Sequence, residues 1–175
     1  FKSNTLMIDK LRVLRSVYEK IGSLFFLDSD MMVAKNLDIL FNKFRDYDLV
    51  FTKRKSNFKI NDNFQNIQFP EFTNKNINDV MPYNAGFIGI NSLKAIEYLE
   101  NVCLELPNRF HFWYGDQYAQ KITYDSNKFN ILIEDYKYNN TIKSLNQYNK
   151  EICVYHFKGR FKNLMKPFYN KHINL

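Results

Sequence analysis

An amphipathic segment that ends at a glycine and leads into a short apolar stretch is the feature that most constrains how this chain folds. From Thr5 to Ile21 the apolar residues recur with a helical period, which predicts a helix. Gly22 ends this helix, and the apolar run from Ser23 to Leu27 is typical of a strand covered on both faces. A buried strand that follows a helix indicates a layered α/β domain.

The same alternation of helix and strand continues along the chain. Further helices are predicted at 36–44, at 92–106 and from Gly115, and further strands at 48–52, 84–91, 129–133 and 152–157. Residues 53–80 are rich in Asn, Lys, Phe and Asp without a clear period, so a long excursion or lid is expected there rather than core. Ligands of such a domain are expected at the carboxyl ends of its strands.

Bulk properties fit one globular domain over residues 1–175, because 45% of the residues are hydrophobic and 17% aromatic. The chain opens at Phe1 inside the amphipathic segment and has no signal or membrane-spanning stretch, so we interpret it as a soluble part of a longer polypeptide. Its net charge of +7 favours anionic ligands, yet no nucleic-acid-binding motif is present and no nucleic-acid partner is predicted. Cys103 and Cys153 are expected to be reduced, buried thiols, which indicates a cytoplasmic or membrane-peripheral location.

Two carboxylates separated by one residue follow the first predicted strand. In an extended chain the side chains of Asp28 and Asp30 would point to the same face, so both can converge on one divalent cation. Oxygen ligands with room for phosphate oxygens suit Mn²⁺ or Mg²⁺, either of which can neutralise a diphosphate leaving group. A solvated turn after a strand is the alternative interpretation of such a pair.

Four segments, in this order, resemble the motifs of family 8 glycosyltransferases, the group that includes glycogenin and bacterial lipooligosaccharide galactosyltransferases. They are the stretch from Asp9 to Phe41 with the carboxylate pair, the run Asn84-Ala85-Gly86-Phe87-Ile88-Gly89-Ile90-Asn91, the triplet Gly115-Asp116-Gln117, and the segment from Tyr155 to Lys162 with its His-x-x-Gly-x-x-Lys pattern. The resemblance covers nearly the whole chain, from residue 5 to residue 162.

The resemblance implies a GT-A fold, a layered α/β/α domain with a mixed, mostly parallel sheet. It also implies a single domain over 1–175. The family's first nucleotide-binding strands would precede residue 1, so either they lie outside this sequence or the domain lacks them. The expected activity is metal-dependent transfer of a hexose from a nucleotide-sugar, most simply a UDP-sugar, to a glycan acceptor with retention of configuration. Such a reaction serves polysaccharide or lipopolysaccharide synthesis.

The resemblance also assigns roles to individual residues. The expected metal ligands are Asp28, Asp30 and His156, the expected donor-binding residues are Lys10, Ser29, Asn84, Ala85, Gly159 and Lys162, and the residues expected near the anomeric carbon are Asp116 and Gln117. A neutral amide is a poor nucleophile and a poor base, so same-face attack is the preferred mechanism, with Asp116 as the alternative nucleophile.

Simpler structural roles stay open for several of these residues. His156 would otherwise be a half-buried, hydrogen-bonded histidine, Asn84 a strand-edge residue, Asp116 a helix cap and Lys10 part of a solvated helix face. His111, Trp113 and Tyr114 form either an aromatic platform for an acceptor sugar or the edge of the core.

Besides the first strands, which are not seen in this sequence, two segments depart from the family pattern. Thr52-Lys53-Arg54 stands where many members have an acidic residue, so the sugar contact there must differ, and Lys162-Asn163-Leu164 replaces the common Lys-Pro-Trp. Two other functions compete with sugar transfer. One is a nucleotidyltransferase of similar fold, and the other is a degenerate module that binds a sugar nucleotide without catalysis.

Overall fold

The computed structural model describes residues 5–61, 69–112 and 114–173. Their α-helices are α1 (Leu6–Ile21), α2 (Asp38–Phe44), α3 (Ile77–Val80), α4 (Leu93–Glu105), α5 (Asn108–Phe112), α6 (Gly115–Asp125) and α7 (Met165–His172). Their strands are β1 (Leu24–Leu27), β2 (Met31–Val33), β3 (Leu49–Lys53), β4 (Tyr83–Ile90), β5 (Ile131–Glu134), β6 (Asn140–Thr141) and β7 (Val154–His156). Short 3₁₀ turns cover Pro70–Phe72, Tyr136–Tyr138 and Gly159–Leu164.

The larger sheet has the strand order β1-β4-β3-β5 and is mixed. Strand β4 pairs antiparallel with both β1 and β3, whereas β3 and β5 are parallel. Three strands therefore run in one direction and β4 runs against them. Because β4 lies inside the sheet and is covered on both faces, all eight of its residues are buried.

Helices cover one face of this sheet. The apolar stripe of α1 places Ile8, Leu11 and Leu14 in the same core cluster as residues of α4 and α6. Gly22 ends α1 in the left-handed region with φ 75°, where its N–H donates to the carbonyl of Tyr18. The opposite face packs against α2 and the smaller sheet, which completes the layered α/β arrangement.

The smaller sheet, of order β2-β7-β6, pairs β2 antiparallel with β7 and β7 parallel with β6. It carries a separate apolar cluster in which Tyr155 and Phe157 meet Phe168 of α7. The sequence did not indicate β2 and β6, because three and two residues are too short to show a strand period. Helix α7 at the carboxyl-terminal end of the described chain was not predicted from the sequence.

A long excursion or lid was expected at 53–80, but most of the apolar residues described in this segment are buried, so the expectation is wrong for them. Ile60, Phe69, Phe72, Ile77 and Val80 are buried in the main core, so this segment packs onto the domain. Its short turns bring apolar side chains inward at irregular intervals, which conceals them from a search for helix or strand periods. Residues 62–68 lie outside the described residues.

Two smaller expectations are corrected as well. Helix α2 begins at Asp38, because the side-chain oxygen of Asn36 accepts from the backbone N–H of Asp38 and forms a turn before the helix. Cys103 is buried as predicted, whereas Cys153 is only half-buried, and both are free thiols. None of the helices in the described ranges is long and apolar enough to cross a membrane.

Candidate active site

A tight turn after β1 presents the two carboxylates. The N–H of Asp28 donates to the carbonyl of Gly86 on the neighbouring strand, and the N–H of Met31 donates back to the carbonyl of Asp28 at 3.0 Å. Asp28 and Asp30 therefore converge through a turn, and the extended geometry expected from their spacing is wrong. Ser29 lies between them and is exposed.

His156 reaches the carboxylates from the smaller sheet. It pairs with Met31 across β2 and β7, and the N–H of the next residue, Phe157, donates to the carbonyl of Asp30 at 2.8 Å. The imidazole Nε2 lies 3.0 Å from Oδ1 of Asp30 and 3.9 Å from Oδ2 of Asp28. One ligand atom from each of the three residues lies within 4.8 Å of the other two, so the set is able to hold a metal ion.

A buried amide determines which nitrogen of His156 carries the hydrogen. The Nδ2 of Asn139 donates to Thr52 Oγ1 and to the carbonyl of Asn84, both at 3.0 Å. Its Oδ1 therefore faces Nδ1 of His156 at 2.9 Å and accepts the imidazole hydrogen. This tautomer leaves the Nε2 lone pair pointing at the carboxylates.

The charge state of His156 agrees with that geometry. Burial, followed by the positive charge of Lys158, lowers the pKa of His156 to about 3, so the imidazole is neutral near pH 7. A neutral Nε2 without hydrogen cannot donate to Asp30, so its lone pair faces carboxylate oxygens of Asp30 and Asp28 at 3.0 and 3.9 Å. Such a donor set fits a divalent cation of the Mn²⁺ or Mg²⁺ type.

Gly86 gives this cluster its space. A Cβ atom at this position would lie 2.5 Å from Cε1 of His156 and 3.0 Å from Oδ2 of Asp28. The backbone of β4 therefore passes close beneath the cluster of Asp28, Asp30 and His156, and any side chain on residue 86 would enter it.

Lys10 connects the cluster of Asp28, Asp30 and His156 to α6. Its Nζ donates to the carbonyl of Ala85 at 2.6 Å and to Oδ2 of Asp116 at 3.1 Å, and it lies 3.5 Å from Oδ1 of Asp28. It also sits over the ring of Phe26, 4.7 Å from the centroid. The solvated helix face considered for Lys10 is therefore wrong.

Asp116 lies at the start of α6 and is 2% exposed. Its Oδ2 contacts Lys10 and not the free amides of the helix, while its Oδ1 has no hydrogen-bond partner among the described residues. Burial raises the pKa of Asp28, with Lys10 opposing the shift and Asp116 adding to it. The three carboxylates thus share a crowded region that Lys10 neutralises only in part.

Gln117 follows Asp116 and is half-buried. Its Oε1 accepts from Nη2 of Arg54, and Nε of Arg54 donates to the carbonyl of Met81 at 3.1 Å. Sequence analysis identified Arg54 only as a departure from the family pattern, and did not foresee that it holds Gln117.

The remaining donor-binding candidates surround the same cluster. Nζ of Lys162 lies 3.1 Å from Oδ2 of Asp30, and Gly159 adopts a left-handed conformation with φ 55° in the turn between Lys162 and β7. Oδ1 of Asn84 accepts from the N–H of Gly86, so this side chain turns toward its own strand.

Of the two alternatives given for His111, Trp113 and Tyr114, the aromatic platform is wrong for Tyr114. This residue is buried and contacts Phe69 edge to face, so the alternative, a place in the core, is correct. Trp113 lies outside the described residues, and His111 is half-buried.

Comparison with solved structures identifies the fold. The chain is similar to a protein described as a glycosyltransferase involved in the glycosylation of the major capsid of PBCV-1, with a TM-score of 0.60 and 14% identity over 96% of this chain and 78% of that one. No protein-family model matches the chain, and no curated protein matches it in sequence. The domain therefore has a GT-A-like glycosyltransferase fold, and the match extends over nearly all of it.

Proposed function

We propose that this chain is a divalent-metal-dependent glycosyltransferase domain of family 8, which covers residues 1–175. It transfers a hexose from a nucleotide-sugar, most simply a UDP-sugar, to a glycan acceptor in polysaccharide or lipopolysaccharide synthesis. The observation that carries the proposal is the convergence of a neutral His156 Nε2 on the carboxylates of Asp28 and Asp30 in a glycosyltransferase fold.

The donor diphosphate is proposed to lie over this cluster. When bound, Mn²⁺ or Mg²⁺ would neutralise charge on the departing diphosphate. Lys162 and the open backbone at Gly159 would bind the phosphate oxygens from one side, and Lys10 would stabilise their charge from the other. Ser29 in the carboxylate turn, with Asn84 and Ala85 on β4, completes the proposed donor-binding set.

Retention of configuration is proposed to proceed by same-face attack. The side-chain amide oxygen of Gln117, Oε1, accepts a hydrogen bond from Arg54. This bond supports a positioning role for the amide and not a nucleophilic one. The departing phosphate would accept the proton of the attacking hydroxyl. Asp116, whose Oδ1 lacks a described partner, is the alternative nucleophile.

Calorimetric titration of UDP with and without Mn²⁺ tests the proposal. We expect Mn²⁺-dependent binding that Asp28→Asn or His156→Gln nearly abolishes, while Asp125→Asn, which changes an exposed carboxylate paired with Lys121, leaves binding unchanged. Binding of equal strength in excess EDTA would contradict the proposed metal site. Turnover of nucleoside triphosphates in place of nucleotide-sugars would instead favour a nucleotidyltransferase.

A further inference from the structure

An open cavity of about 370 Å³ lies beside Arg54, apart from the cluster of Asp28, Asp30 and His156. The end of β3, helix α3, the start of β4 and the last turn of α6 form its walls. None of the proposed metal ligands or donor-binding residues is among its described lining residues. Its volume is at the small end of the range for ligand cavities, which is about 300–1,000 Å³. The proposed function assigns no ligand to this cavity.

Arg54 joins the cavity to the proposed reaction site. Its Nη2 donates to Oε1 of Gln117, and its Nε donates to the carbonyl of Met81 at 3.1 Å, so the guanidinium is held in place where it lines the cavity. Gln117 is expected near the anomeric carbon of the donor sugar. The cavity therefore begins one side chain away from the place proposed for the transferred sugar.

Helix α6 gives the distance between the cavity and this place. Gln117 lies in the first turn of the helix, and Tyr124, which lines the cavity, lies about two turns later. With a rise of about 1.5 Å per residue, the two positions are about 10 Å apart along the helix axis. This distance is comparable to the length of a disaccharide. A sugar bound at Tyr124 would therefore be a neighbour of the sugar that reacts.

The lining of the cavity combines an aromatic ring with polar groups. Tyr124 is 41% exposed, and its ring contacts that of the buried Tyr83 edge to face, with the centroids 5.7 Å apart. Oδ1 of Asn78 is covered and has no hydrogen-bond partner among the described residues, so a rotation of the amide toward a ligand would break no hydrogen bond of this oxygen. Lys53 is exposed, and its Nζ makes no hydrogen bond or ion pair within the described ranges.

This combination of groups fits a sugar. A sugar ring presents C–H groups that pack against an aromatic ring, and hydroxyl groups that both donate and accept hydrogen bonds. Asn78 offers an acceptor, whereas Lys53 and Arg54 offer donors, so the cavity can bond such hydroxyls in both directions. A ligand without hydrogen-bond donors would leave the oxygen of Asn78 unpaired, which is costly for a buried polar atom.

We propose that the cavity at Asn78 and Tyr124 is an outer subsite for the acceptor glycan, which binds the sugar next to the one that receives the transferred hexose. This inference rests on the proposed function, because that function places the donor sugar beside Gln117. It defines the acceptor as a saccharide of at least two units. Its second sugar packs on the ring of Tyr124 and donates a hydrogen bond to Asn78.

The test begins with a printed glycan array, probed with the chain in the presence of Mn²⁺ and UDP, or GDP if only GDP binds. Calorimetry then compares the oligosaccharide that binds best with the monosaccharide of its non-reducing end. We expect the wild-type chain to bind the oligosaccharide at least about tenfold more tightly. Tyr124→Ala should remove most of this advantage without changing the affinity for the nucleoside diphosphate, whereas Tyr124→Phe, which keeps the ring, should retain it.

Asn78 provides a second pair of variants. Asn78→Leu removes the acceptor and should also lose most of the advantage of the oligosaccharide, while Asn78→Asp keeps an acceptor and should lose less. Tyr169→Ala is the matched control, because it removes a tyrosine of similar exposure, 42%, on α7. This variant should bind the oligosaccharide and the nucleoside diphosphate as the wild-type chain does.

The outcomes separate the subsite from the proposed function. The subsite alone is overturned if the chain binds the nucleoside diphosphate but no glycan on the array, or if Tyr124→Ala keeps the full advantage of the oligosaccharide. An equal loss of nucleoside diphosphate affinity in Tyr124→Ala also overturns it, because the cavity would then serve the donor. Failure of both UDP and GDP to bind overturns the proposed function, and the subsite with it.

Discussion

Replacing Gly86 by alanine tests the proposed metal site without altering any of its proposed ligands. The residue does not have the positive φ that only glycine adopts readily, so the backbone of β4 accepts an alanine. The added methyl group would nevertheless lie 2.5 Å from Cε1 and 2.9 Å from Nδ1 of His156. The substitution therefore acts by displacing the imidazole from Asp28 and Asp30.

The size of the effect follows from these distances. Ordinary contact begins near 3.4 Å, so the ring or the strand must move by about 0.9 Å, whereas metal–ligand distances tolerate shifts of about 0.2 Å. Overpacking of this kind costs about 1–3 kcal/mol. If the metal site bears this cost, Gly86→Ala should weaken Mn²⁺ binding by about 5- to 150-fold.

Gly89→Ala is the matched control for this experiment. It lies on the same strand, and its Cβ would meet Phe25 at 2.6 Å and Val50 at 2.9 Å, which are core residues away from the cluster. Both variants should lower the urea midpoint in EDTA, but only Gly86→Ala should weaken Mn²⁺ binding in a calorimetric titration. Wild-type Mn²⁺ affinity in a folded Gly86→Ala protein would refute the assignment of His156 and Asp28 to one metal ion.

Two further predictions concern His156. Asn139→Leu removes the acceptor for the Nδ1 hydrogen of His156 and should weaken Mn²⁺ binding by about 10- to 100-fold. Asn139→Asp keeps an acceptor and should lose less of the Mn²⁺ affinity. Equal losses of affinity in a calorimetric titration would contradict the proposed role of the Asn139 oxygen. Because the pKa of His156 is about 3 when folded and 6.5 ordinarily, the unfolded state binds more protons between these values, and metal-free stability should fall as pH decreases through that window. Urea unfolding from neutral pH to about pH 4.5 should show a smaller decrease for His156→Gln.

The sequence predicted the elements that have strong local patterns. Each of these patterns reflects one element that packs on one core, so it can be identified from local residues. They are the apolar period of α1, the glycine after it, and the apolar runs of β1, β3 and β4. The antiparallel direction of β4 has no local signature, because a strand buried on both faces shows the same continuous apolar sequence whether it runs parallel or antiparallel to its neighbours. The prediction for residues 53–80 was wrong because turns bury the apolar side chains of this segment, and these residues do not recur with a helix or strand period.

The site was predicted where residue type alone limits the chemistry. Carboxylates and a histidine with the family's spacing indicated the cluster at Asp28, Asp30 and His156, and the structure brings these three together. Asn139 could not be identified in the same way, because it is one asparagine in a chain rich in them and acts through a tertiary contact. The link between Arg54 and Gln117 likewise joins residues far apart in sequence, and it exists only because the fold brings the end of β3 close to the start of α6.

The proposed metal site also couples the two sheets. Asp28 and Asp30 lie in the turn that leads from the larger sheet into β2, His156 ends β7 of the smaller sheet, and Asn139 ties His156 to Thr52 on β3. The ligand set is therefore complete only when both sheets are docked. Lone pairs that converge without a cation repel one another, so the metal-free protein bears a cost at this junction. A bound cation removes that cost and should stabilise the docked arrangement in proportion to its affinity, which makes metal binding and the packing of the smaller sheet a single linked equilibrium.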